Sequence, residues 1–77
     1  MTALDDFHVG DTVDIDDGLA GVVVFNSFIG SWSDEFPEEK WSYMEEKGLM
    51  IRTEDAGLVF HDADYFISGA GRIVRIE

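Results

Sequence analysis

The longest purely apolar run in this chain is Val22 to Phe25, four residues, where a membrane-spanning helix requires ~20. Its β-branched residues and closing aromatic fit a strand buried on two sides, or one curling sharply between two small sheets. Ahead of it, Thr12-Val13-Asp14-Ile15-Asp16 alternates with period two, directing Val13 and Ile15 to a core and Thr12, Asp14 and Asp16 to water. Asp16-Asp17-Gly18 forms the turn between these strands, because Asp tolerates tight backbone geometry and Gly takes positive φ freely. Leu49 to Thr53, Leu58 to His61 and Arg72 to Ile76 read as three further strands, with turns at Glu54 to Gly57 and Ser68 to Gly71.

The connections carry less pattern. Met1 to Phe7 read as an acidic lead-in, with the ordered part starting at Val9. Asn26 to Phe36 is rich in Ser and Gly yet holds Phe28, Ile29, Trp32 and Phe36, so it is expected to fold back over the core. Pro37-Glu38-Glu39 opens a short helix, with proline where no amide donor is needed and acids near the positive end of the dipole. Lys47 and Gly48 stop it. Phe36, Trp41 and Met44 can share its inner face, and at roughly ten residues it must dock through Trp41 to persist. Asp62-Ala63-Asp64 reads as a polar turn before the short apolar segment Tyr65 to Ile67.

Length and composition narrow what such elements can build. Residues 1–77 make a single domain, at a size where one core stabilises a fold by only about 3–5 kcal/mol. With no cysteine there is no disulfide, thiolate cluster or cysteine nucleophile, and a reducing, cytoplasmic setting is expected. Seventeen Asp and Glu against five Lys and Arg give a net charge of −12. That surface repels nucleic acid and anionic membranes and attracts basic proteins. It also opposes self-association, so a monomer is expected.

His8-Val9-Gly10-Asp11-Thr12-Val13, followed by Gly18-Leu19-Ala20-Gly21-Val22-Val23-Val24, resembles the opening hairpin of KOW-like and other SH3-like small barrels. Gly10 and Gly21 would permit sharp bends, while Val13 and Val22 or Val24 would fill the interior. The resemblance implies an all-β, SH3-like, partly open barrel of about five strands with one short helix inserted between the second and third. The alternative is a small α+β sheet with the helix packed across it. Members that bind nucleic acid do so through basic loops, whereas this first turn carries Asp14, Asp16 and Asp17. Direct nucleic-acid binding is therefore not carried over.

The acids fall into clusters. Asp14, Asp16 and Asp17 mark the first turn, and Asp34, Glu35, Glu38 and Glu39 surround the helix start, near the aromatics Trp32 and Tyr43. These nine residues are the expected binding set for a basic protein surface, through complementary charge and cation–π contact. A sharper alternative is a DNA-mimicking inhibitor or antirepressor of a DNA-binding protein. A small metal-dependent or hydrolytic enzyme is the rival of a different class. Counting from Asp14, the sixth and twelfth positions of a calcium loop fall on Leu19 and Phe25, so that motif fails. His61, Asp62 and Asp64, with His8 as a distant fourth, offer metal-ligand atoms, and several serines offer hydroxyls outside any nucleophile motif. The expectation is a non-enzymatic interaction module with no cofactor or metal.

Overall fold

In the computed structural model, which describes residues 4–43 and 45–76, the expected strands all form and pair into one antiparallel sheet. Strands β1 (Thr12–Ile15) and β2 (Leu19–Asn26) make the first hairpin, and β3 (Gly48–Thr53) and β4 (Gly57–Asp62) the second. β5 (Ile73–Arg75) returns to the free side of β1, giving the order β4-β3-β2-β1-β5. The first hairpin turns where both Asp16 and Asp17 hold positive φ, 57° and 58°, and Gly18 donates to the Ile15 carbonyl. Left-handed geometry at both central residues matches the twist of the paired strands.

The sheet is open, which corrects the expected barrel. β4 and β5 are its two edges, and no pairing joins them among the described residues. Closure is unnecessary because each face receives its own cover. On one face Val13, Ile15, Val23, Leu49, Ile51 and Ile73 pack under a 3-10 turn, Leu4–Asp6, and under α2 (Ala63–Ile67), which contributes Ala63 and Phe66. On the other, Val24, Phe25 and Met50 meet Phe36, with Trp32, Trp41 and Phe60 packed around them. Each such apolar side chain removed from water stabilises the fold by roughly 1.5–3 kcal/mol.

β2 feeds both cores through a bulge. Val23 faces Ile51 and Phe25 faces Met50, so Val24 is an extra residue and joins Phe25 on the aromatic side. Two-sided burial of β2 therefore holds only from Val23 to Asn26, and Val22 is exposed.

Three other expectations change. The acidic lead-in is part of the core, since Leu4 and Phe7 are buried and their carbonyls accept the side-chain amide of Asn26 at 2.9 and 2.8 Å. Where a polar turn was expected at Asp62 to Asp64, Ala63 to Ile67 form a helix, because the Asp62 carboxylate caps α2 by accepting from the Asp64 amide at 3.0 Å. The inserted helix, α1 (Glu38–Trp41), is shorter than expected, and Met44 lies outside the described residues. It docks through Trp41, whose ring lies 5.4 Å from Phe36 and 5.8 Å from Phe25.

Candidate functional site

The connection between β2 and β3 covers only part of its sheet face. Phe25 sits at the centre of the covered part, 5.3 Å from Trp32, 5.8 Å from Phe36 and 6.2 Å from Phe60. Trp32 is nearly parallel to Phe25, and its Nε1 is buried without a hydrogen-bond partner among the described residues. Beyond this cluster no element among the described residues covers the face. Strand pairing sets Thr12, Val22, Arg52 and Leu58 side by side on it, and Asp14 between Ala20 and Val74. Ile76 extends the first row, donating its amide to the Thr12 carbonyl at 2.8 Å.

Four apolar side chains on this face, Val22, Leu58, Val74 and Ile76, remain 38–49% exposed, with Thr12 and Arg52 interleaved among them. Beside them, Thr12, Ala20, Val22, Arg52, Glu54 and Asp55 line an open hollow of about 420 Å³. The hollow's one cation is already engaged, because Arg52 donates to Glu35 at 2.6 Å. That hydrogen bond holds the Glu35 carboxyl below its ordinary range and raises the guanidinium pKa. Arg72 pairs likewise with Asp17 at 3.3 Å and Arg75 with Asp11 at 3.2 Å. All three arginines of the chain are therefore spent inside the fold, leaving the charge excess on carboxylates.

The residues expected to bind divide into distinct groups. Asp14 is half-buried on this face, with Oδ1 lacking a partner among the described residues. Glu35 reaches the same face through Arg52. Asp16 and Asp17 stand at the hairpin turn and are tied to the far end of the chain. Asp16 accepts from the Tyr65 hydroxyl at 2.5 Å and the Arg72 amide at 2.9 Å. The Tyr65 hydrogen bond is the main reason the Asp16 carboxyl is held below its usual value. Asp34, Glu38 and Glu39 are exposed around α1, and Tyr43 is 76% exposed just after it.

Val22, Leu58, Val74 and Ile76 were absent from the expected set. Strand alternation puts Leu58 and Val59 on opposite faces, and which face stays uncovered depends on how far the β2–β3 connection reaches. His61 packs against α2, its ring 5.7 Å from Phe66 and 6.2 Å from Tyr65. Burial pushes its imidazole pKa down, opposed by the nearby Asp16 carboxylate. No three His, Asp or Glu side chains converge as metal ligands among the described residues. The Ser27 hydroxyl both donates to and accepts from the Gly48 backbone, and Ser31 accepts from the Val9 amide.

No helix among the described residues is long and apolar enough to cross a membrane. The chain matches no protein-family model, no curated protein and no solved structure.

Proposed function

We propose that this chain is a non-enzymatic interaction module that binds a basic protein surface on the uncovered part of its sheet. The observation that carries this reading is one sheet face on which Val22, Leu58, Val74 and Ile76 are exposed, interleaved with Thr12, Asp14 and Arg52 and flanked by Glu35, Glu54 and Asp55. Exposed apolar side chains set among polar and charged ones suit a protein interface, which as a whole is about as apolar as the rest of a protein surface. The carboxylates draw in a partner carrying Lys and Arg and speed its encounter, while the exposed apolar side chains supply the contact that persists. The SH3-like reading of the fold belongs here too. It is supported by the meander of five antiparallel strands in which β5 pairs back onto β1, and by the bend at Gly10, where φ is 96°.

The test is capture of partners from the source cell's lysate on wild-type protein and on a Val22→Thr, Leu58→Thr variant. Threonine is β-branched and suits a strand, and it puts a hydroxyl where Val22 and Leu58 present only apolar atoms. A partner held by wild type, released by salt and lost by the variant supports the reading. Equal capture by both proteins would defeat it. Displacement of that same partner by duplex DNA would identify the DNA-mimicking form of the reading.

A further inference from the structure

A second hollow lies away from the open sheet face, where the end of the β2–β3 connection meets the start of α2. It is an open hollow of about 430 Å³, and its lining includes Phe28, Ala63 and Ile67. Four carboxylates, those of Glu45, Glu46, Asp62 and Asp64, stand around it with one ammonium, that of Lys47. Phe28 is 43% exposed. The local backbone is fixed: Ala63 donates to the Lys47 carbonyl at 2.7 Å, and Phe28 donates to Asn26 Oδ1 at 3.1 Å. Asp62 spends Oδ1 on the Asp64 amide, which leaves Oδ2 free to accept. None of the four carboxylates forms an ion pair among the described residues.

We infer that this hollow receives an arginine side chain of the basic partner. The inference rests on the interaction-module reading and adds a defined contact to it. An arginine combines an apolar stem with a flat cation that stacks on aromatic rings and bonds carboxylates in pairs. The Phe28 ring offers the face, Ala63 and Ile67 the apolar floor, and the surrounding acids the acceptors. Lysine, a compact and strongly hydrated charge, uses the ring less well. The volume is near the lower end of ligand sites, roughly 300–1,000 Å³, which suits one or two side chains.

The experiment is a titration of the full chain with Nα-acetyl-arginine N-methylamide, followed by amide chemical shifts in low salt. The citrulline counterpart, which has the same shape and no charge, and the lysine counterpart serve as controls. Saturable shifts are expected at Phe28, Ala63, Asp64 and Ile67, weak with lysine and missing with citrulline. Phe28→Ala should weaken binding about fivefold, the worth of one partly exposed cation–π contact, and Glu46→Gln should weaken it with the spectrum otherwise unchanged. Shifts scattered over Asp14, Glu54 and Asp55, equal binding of lysine, or no saturation would each overturn the inference. Failure of the broader reading shows separately, as capture unaffected by the Val22 and Leu58 substitutions.

Discussion

The Tyr65 hydroxyl donates to the Asp16 carboxylate at 2.5 Å, joining α2 to the first hairpin turn across 49 positions of chain. The contact holds the carboxyl pKa of Asp16 down and raises the phenol pKa of Tyr65. A carboxyl whose folded pKa lies below its unfolded value stabilises the fold above the unfolded value, and the effect is lost as pH falls through the folded one. Tyr65→Phe should therefore raise the Asp16 titration midpoint, measured by carboxyl carbon NMR. It should also lower Tm at neutral pH, with the deficit shrinking in strong acid.

Asn26 should be among the least replaceable polar residues. Its buried side chain satisfies the Leu4 and Phe7 carbonyls and the Phe28 amide together. Asn26→Ala strands these groups and should destabilise the protein by about 2–4 kcal/mol. Urea denaturation checks this, and amide exchange should show the segment around Leu4 opening first.

These two residues also mark how far the sequence could be read. Val13, Ile15 and the Asp16-Asp17-Gly18 turn declared themselves through period two and turn chemistry, both of which are local. Trp41 likewise revealed the docking of its helix. Leu4 and Phe7 gave no such signal, because their burial depends on Asn26, 22 and 19 positions away. The short α2 was hidden for a related reason: a cap at Asp62 is visible, but the packing of Phe66 against the sheet decides between helix and turn. The bare strip was the hardest to foresee, since Val22 differs from Val23 only in which cover each side receives.

Lowering the pH should weaken the fold through His61. Burial holds its imidazole pKa below the ordinary value, while the Asp16 carboxylate pulls the other way, and Tyr65 and Phe66 pack against the ring. The unfolded chain then takes up the proton first, so the stabilisation is complete above the unfolded pKa and declines as pH falls through the folded one. Urea midpoints measured from about pH 7.5 to about pH 5 should fall for wild type, and His61→Gln should flatten the slope across this range of histidine titration.

Added salt should stabilise the protein. A charge of −12 repels itself, and the three arginine ion pairs are too few to offset it. Screening over roughly 8–10 Å relieves this repulsion. Tm should rise between low and physiological ionic strength, and a fall in calorimetry would show the ion pairs to be dominant.

The extra residue at Val24 gives β2 a tolerance that strands ordinarily lack. Removing one residue from a regular strand exchanges inside for outside along everything that follows. Here, deletion of Val24 would leave Phe25 opposite Met50 and Asn26 opposite Leu49, because those pairings already lie one step past the irregularity. The aromatic layer would lose one side chain, yet the layer beneath the 3-10 turn would keep its seating. The two sides of this thin protein are therefore free to change in composition one at a time, with the bulge acting as the joint between them.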